Sequence, residues 1–369
     1  MYAAPNLPVE LISGILEEVY FPPSSSTPHQ TLESWTPDRA TLASCSLVCH
    51  RWRDLAQTFL FHEIQWLKPS FCEALREKDQ NALEIATYVR RLGLRISGSA
   101  FAHLSPNIIS PKDFLTILSA CPSLYELTLR IDGMHAFNED IMEGLRSLST
   151  TASLASLTAL NLMSFGTQSP IPYQLLSVMP GVRYLRLGTE LAAPCPSEPC
   201  KAKLYELTLL RTPLNVKNVS WLLSASEGHL RVLEFRDTPG RSYDPLLSVY
   251  GSHLESFRVI RQELRSASIF KFCSNLKELI VYQFSDLIPI RNIPASVEHL
   301  SFRYSAWAKN NTLVPIIDAL RHLRHLRLVS CNKETEEHKE FHLLRKACEE
   351  QKVKLCVDAP PVFVVSTDV

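Results

Sequence analysis

Glycine is scarce in this chain, with eleven residues in 369. So few leave little material for the loops that bring backbone amides against phosphate, and neither a P-loop nor a dinucleotide fingerprint is present. The His-Glu-x-x-His, Gly-x-Ser-x-Gly and Cys-x-x-Cys spacings are missing too, which argues against an independent enzyme. No uncharged apolar run reaches the roughly 18 residues of a membrane helix, and no basic stretch leads into a short apolar core at the start. Charge of one sign is also lacking. Lys+Arg and Asp+Glu are 38 each, so no overall field draws the chain to nucleic acid or an anionic membrane. The expectation is a soluble intracellular protein, cytoplasmic and/or nuclear, without catalytic residues, cofactor or metal.

Cysteine is present, ten in all, but scattered singly through apolar contexts such as Cys121, Cys273 and Cys348, which suits small hydrophobes in a reducing compartment. Three constellations invite a metal. His338 and His342, with Cys331 and Cys348 nearby, read better as an exposed helix face. Cys195 and Cys200 have no second pair, and Cys45, Cys49 and His50 read as packing. Asn218-Val-Ser220 and Asn310-Asn-Thr312 are glycosylation sequons by pattern alone.

What the chain does have is a recurring phrase of three apolar positions spaced i, i+3, i+5. Its instances are Val89-Leu92-Leu94, Leu124-Leu127-Leu129, Leu157-Leu160-Leu162, Val182-Leu185-Leu187, Leu204-Leu207-Leu209, Leu230-Leu233-Phe235, Leu254-Phe257-Val259, Leu276-Leu279-Val281, Val297-Leu300-Phe302 and Leu323-Leu326-Leu328. One hit is cheap, since in a chain 46% hydrophobic chance supplies it in about one window in ten. The steps are 35, 33, 25, 22, 26, 24, 22, 21 and 26 residues, and the last seven are similar to the period of leucine-rich repeats. The fold class expected is α/β, a solenoid in which each phrase supplies a short strand and each spacer a helix.

The spacers carry helix signals. Ser110-Pro111-Lys112-Asp113 reads as N-cap, proline at N1 and an acidic residue at N3, opening a helix over 114–120. Asp244-Pro245 opens 246–250, with Gly251 as C′. Asn215 opens 215–226 with Gly228 beyond, residues 69–88 supply the helical part of the first unit, and a charged helix over about 333–350 caps the array before a last strand at 355–357. The leucine-rich family places Asn or Cys three residues after the last apolar position, and here Cys331 alone fits, so the array is degenerate.

Ahead of the array lie two amphipathic pieces. Pro8 suits the first helical position, and Leu11, Ile12, Ile15, Leu16 and Val19 follow at helical spacing. Cys45, Val48, Cys49, Trp52, Leu55 and Ala56 form a second stripe. Leu7-Pro8, Glu10, Ile15-Leu16, Leu47-Val48-Cys49, Arg51 and Trp52 together resemble an F-box of the fungal F-box-like kind, split by a Pro/Ser-rich insertion at 21–41. The organisation expected is an all-α F-box-like domain at 1–66 and a repeat array at 67–369.

The resemblance implies a substrate-recognition subunit of a Skp-cullin-F-box ubiquitin ligase. Leu7, Pro8, Leu11, Ile12, Ile15, Leu16, Leu47, Val48 and Trp52 would meet a Skp-type adaptor and, through it, a cullin. The other reading is a ligase-independent interaction scaffold. Strand alternation turns the residues between the apolar ones to the opposite face, where a target would lie. Arginines outnumber acids there, eight to four, and Arg130, Arg186, Arg236, Arg258, Tyr282, Arg303 and Arg327 are the candidate target contacts. They suit an acidic or phosphorylated segment, or else lateral salt bridges such as Glu234 with Arg258.

Overall fold

The computed structural model describes residues 7–20, 37–98, 107–150, 154–261, 265–281, 292–304 and 312–357. Residues 21–36 of the insertion and the Tyr282 side chain lie outside them. The described residues fall into two compact units, one ending at Val182 and one beginning at Arg183.

The first unit opens with α1 (Val9–Tyr20), α2 (Arg39–Ser46) and α3 (His50–Leu60). The Pro8 carbonyl accepts from the amides of Leu11 and Ile12 as α1 starts, and Asp38 caps α2 by accepting from the Thr41 amide at 3.0 Å. Ile12, Leu16 and Tyr20 of α1 bury against Leu42 and Ala56, with Leu7, Val19, Cys45, Trp52, Leu55, Phe59 and Leu60 packed around them. The single second helix expected through Cys45 and Trp52 is corrected to two. Ser44 and Ser46 donate back to the carbonyls of Ala40 and Ala43, a competition with the helix ladder that serines favour, and α2 stops there. Cys49 is extended at φ −166° and exposed, contrary to the apolar-side placement expected for it.

The strands follow: β1 (Glu63–Ile64), α4 (Pro69–Arg76), α5 (Gln80–Tyr88), β2 (Arg91–Ser97), β3 (Ile108–Ile109), α6 (Pro111–Ala120), β4 (Glu126–Asp132), α7 (Glu139–Thr150), β5 (Ala159–Ser164) and α8 (Ile171–Val178). β1 pairs with β2, β2 with β4 and β4 with β5, all parallel, while β3 adds to β2. The sheet thus begins at Glu63, so pairing crosses the boundary expected at 66/67.

The second unit holds β6 (Tyr184–Leu187), β7 (Glu206–Leu209), α9 (Val216–Leu222), β8 (Val232–Asp237), α10 (Asp244–Tyr250), β9 (Ser256–Arg261), α11 (Ser266–Ile269), β10 (Glu278–Val281), β11 (His299–Phe302), α12 (Val314–His322), β12 (Leu328–Cys331), α13 (Phe341–Gln351) and β13 (Lys354–Val357). Each strand pairs in parallel with the next. Their registers line up Leu185, Leu207, Leu233, Phe257, Leu279, Leu300, Val329 and Leu355, one inward apolar side chain per strand. Removing each such side chain from water contributes about 1.5–3 kcal/mol, and stacking neighbours does so for all of them at once.

That register corrects the last phrase. Leu300 pairs with Val329 and Ser301 with Ser330, so the phrase is Leu326-Val329-Cys331, three residues later than Leu323-Leu326-Leu328. The run Leu323, Leu326, Leu328, Val329, Cys331 satisfies the spacing twice, and strand pairing selects the later frame. The spacer helices hold at α6, where the Ser110 hydroxyl accepts from the Asp113 amide at 3.1 Å, and at α9, capped by Asn215 with Gly228 at φ +72°. Gly251 is not a left-handed cap. Its φ is −59°, and it is needed because a Cβ there would sit 2.6 Å from the Phe272 carbonyl oxygen. The expected helix over 333–350 is a 3-10 turn at Lys333–Glu337 followed by α13, broken where His338 turns extended and packs its ring 4.9 Å from that of Tyr304. His342 is exposed.

Candidate functional site

Two kinds of surface stand out: an apolar edge on α1 to α3, and, in each unit, the strand face away from the helices. On α1 the apolar residues point both ways. Ile12 and Leu16 are buried in the core, so they shape the surface from beneath rather than forming it. Leu11 and Ile15, one turn apart, are 55% and 43% exposed. Leu47 and Val48, in the turn between α2 and α3, are 80% and 58% exposed. Pro8 is exposed, while Leu7 and Trp52 are partly buried against the core. Val9, also exposed, adds to this edge; it stands three and seven residues before Ile12 and Leu16, and sequence reasoning missed it.

The same helices are tied to the first strands by polar contacts. The Tyr20 hydroxyl meets His62 Nδ1 at 3.0 Å. Burial, with Arg91 and Arg90 close by, holds the His62 imidazole down at about 4 and so neutral near pH 7. Burial likewise pushes the Tyr20 phenol up. Arg39 donates to the Glu63 carbonyl at 3.1 Å. Beyond it, Arg91 bridges Glu63 at 3.1 Å and Glu126 at 2.7 Å.

The rest of the first unit's strand face is built on this bridge. Asn161 donates to Glu126 at 2.9 Å and to Thr128 at 3.2 Å, and Arg95 pairs with Asp132 at 2.8 Å. Arg130 lies over the ring of Trp66, 4.9 Å from its centroid. Sequence reasoning missed Trp66, which sits just past a two-residue strand and belongs to no phrase.

In the second unit two rows of side chains share this face. One runs through Tyr184, Glu206, Val232, Ser256, Glu278, His299 and Leu328, the other through Arg186, Thr208, Glu234, Arg258, Ile280, Ser301 and Ser330. Arg258 is the hub. Its Nη1 lies 3.7 Å from Glu206 and 3.8 Å from Glu234, its Nη2 3.4 Å from Glu278, and Nε donates to Ser256 at 3.2 Å. His299 contacts Glu278 through Nδ1 at 3.1 Å and Ser330 through Nε2 at 2.8 Å.

The electrostatics differ sharply along the rows. Burial pushes the Glu234 carboxyl up to about 7 against the pull of Arg258 and Arg186. Glu278 is equally buried, yet hydrogen bonds from His299 and Ser256 together with Arg258 outweigh desolvation and hold it down at about 2. Burial lowers the Arg186 guanidinium, with Glu234 and Glu206 opposing. A face counted as arginine-rich from sequence is therefore largely neutralised from within.

The candidate target contacts fall into distinct settings. Arg258 is consumed by the network, and Arg186 faces Glu234 and Glu206. Arg303 and Arg236 are half-buried. Arg327, 79% exposed, sits just before β12 and pairs with Glu298 at 3.5 Å, because the corrected frame puts Leu328 and Ser330, not His325 and Arg327, on the strand face. Asn332, one residue past Cys331, exchanges hydrogen bonds of 2.8 Å with the amide and carbonyl of Tyr304. It fills the backbone-satisfying role for which sequence singled out Cys331. Asn218 of the first sequon is buried and donates to the Leu191 carbonyl at 2.5 Å. Cys195 donates its thiol to Asn218, and Cys200 is buried.

Comparison with known proteins places residues 4–64 in an F-box-like family model. Among solved structures, the chain is similar to the leucine-rich repeat-containing protein LegL7 from Legionella pneumophila, with 13% identity, 80% of this chain and 88% of that one covered and a TM-score of 0.47. It is also similar to the leucine-rich repeat domain of APL1B, with 14% identity, 68% and 64% covered and a TM-score of 0.26. No curated protein matches. Among the described residues no helix is long and apolar enough to cross a membrane.

Proposed function

From an F-box-like domain at residues 4–64 and the parallel-strand repeat array that follows it in sequence, we propose that the protein is a substrate-recognition subunit of a Skp-cullin-F-box ubiquitin ligase. The α1 to α3 module docks on a Skp-type adaptor and so on a cullin, and the strand face holds a target protein. The chain contributes no bond-making step in this reading. It supplies proximity, bringing the target to subunits that transfer ubiquitin.

The observation that carries the proposal is the exposure of Leu11 and Ile15 on α1 and of Leu47 and Val48 in the turn between α2 and α3. Ile12, Leu16 and Leu42 already fill the core, so these side chains are surplus to it and fit a partner's apolar surface. Covering a leucine of this size is worth about 1.5–3 kcal/mol. The contact set is Leu7, Pro8, Val9, Leu11, Ile15, Leu47, Val48 and Trp52, with Ile12 and Leu16 holding it in shape.

Co-expression of the full chain with a Skp-type adaptor, followed by affinity capture, tests this. Wild type should carry the adaptor, and the double variant Leu47→Asp/Val48→Asp should lose it while keeping the wild-type melting temperature. A folded wild type that fails to capture the adaptor, or a double variant that captures it equally, overturns the proposal.

A further inference from the structure

On the strand face of the first unit the arginines are not equivalent. Arg91 is held by Glu63 and Glu126, and Arg95 by Asp132. Arg130 meets no carboxylate among the described residues, and its guanidinium instead lies against Trp66, a side chain 37% exposed. Stacking uses the flat face of a guanidinium and leaves the in-plane N–H donors at its edge available to an acceptor.

The surroundings select an anion for that edge. Arg95 stands directly across from Arg130 in the β2–β4 register, and like charges opposed on neighbouring strands repel. Asp132 neutralises one of the two. On the other flank the β4–β5 register shifts after Leu129, bringing Ser164 opposite Arg130 and adding a hydroxyl to the row. Such bulges re-aim side chains beside sites. Gly93, on β2 between Trp66 and β4, permits the arrangement. A Cβ there would lie 1.7 Å from the Gln65 carbonyl oxygen, so the segment leading to Trp66 crosses at a point where a side chain has no room.

We propose that Arg130, backed by Trp66 and flanked by Arg95 and Ser164, is an anion-recognition site that takes a carboxylate or phosphate group from a target side chain. That a target brings the anion rests on the substrate-recognition reading; anion binding itself does not.

The test is a titration of the isotopically labelled full chain with inorganic phosphate and, separately, sodium acetate at matched ionic strength. The readout is the indole N–H resonance of Trp66, assigned with the Trp66→Phe variant. A saturable shift with a dissociation constant in the millimolar range is expected, absent in Arg130→Ala and about tenfold weaker in Arg130→Lys, which keeps the charge and loses the fork. Saturation by phosphate alone identifies a phosphorylated side chain, and saturation by acetate as well a carboxylate. No saturable shift with either anion, or an unchanged shift in Arg130→Ala with its other indole resonances in place, overturns the site. Adaptor capture by the Arg130→Ala chain reports separately on the ligase reading.

Discussion

Replacing Arg258 by methionine keeps an unbranched apolar stem and removes the guanidinium charge on which three carboxylates converge. In the wild type Glu206, Glu234 and Glu278 lie 3.7, 3.8 and 3.4 Å from its guanidinium, and the Arg258, Glu234 and Glu278 side chains are each 4% exposed. A solvated pair of this kind would contribute at most about 1 kcal/mol. Here water cannot replace the lost partner, and breaking a buried pair from one side costs about 3–5 kcal/mol because the remaining charge stays uncompensated. Glu278 sets the upper end of that range. His299 and Ser256 still contact it after the substitution, but its strongest full charge is gone. Glu234, with its carboxyl already at about 7, relieves its share by taking a proton. The loss should therefore be largest at pH 8 and shrink as the pH falls toward 5.5. Urea unfolding followed by circular dichroism at both values measures it. Adding Glu234→Gln should recover about 1 kcal/mol or more at pH 8 as a coupling between neighbours. A loss below about 1 kcal/mol at pH 8, or one independent of pH, would refute the network as a buried, mutually dependent unit.

Two further outcomes follow from the same geometry. Glu234 holds its proton to about 7 in the folded chain against an ordinary value of 4.5, so the fold binds more protons than the unfolded chain in that interval and loses stability as pH rises through 7. Glu278, held down at about 2, contributes stability above the ordinary 4.5 that fades as pH falls toward 2. Relative to wild type, Glu234→Gln should gain melting temperature as pH rises from about 4.5 to 7 and keep that gain above 7; the opposing contribution of His62, held at about 4, is common to both proteins and drops out of the difference. A difference between the two melts that stays constant from pH 5 to 8 would refute this. Glycines separate by what surrounds them. Gly251→Ala should cost about 1–3 kcal/mol through overpacking against the Phe272 carbonyl. Gly14→Ala, in helix α1 with nothing within 4 Å of the added Cβ, should be neutral or stabilise by up to about 1 kcal/mol. Equal effects in denaturant titrations would contradict the packing described.

Where the sequence was legible, a single spacing rule acted within one strand. The last two residues of each triad from Val89 to Phe302 fall on the observed strands, and the first lies two residues ahead of its strand, because their positions are fixed by local alternation and need no knowledge of a neighbour. Legibility ended where two frames satisfied the same rule, as at Leu323 to Cys331, since only the pairing of Leu300 with Val329 chooses between them. It ended again at Leu47 to Cys49, where helical spacing runs unbroken through a turn set by serine back-bonding. That one turn takes Val48 out of the expected continuous stripe and leaves it, with Leu47, on the surface on which the proposed adaptor contact depends. Trp66 offered no signal at all, because its meaning comes from Arg130, 64 residues away, across a glycine that leaves it room.

The same limit governs charge. Counting strand-face residues within the phrases gave eight arginines to four acids, but the count omits Glu63, Asp132 and Glu298, which lie at strand ends or just ahead of them and take up Arg91, Arg95 and Arg327. It also treats Arg258 as one cation among many, although it answers three carboxylates, two on the adjacent strands and one a strand further away. With those partners assigned, specificity for an acidic target cannot come from a general positive face. On the reading proposed above it would come from points where lateral neutralisation fails, and among the described residues of the first unit Arg130 is such a point, because its neighbour is a tryptophan ring rather than a carboxylate.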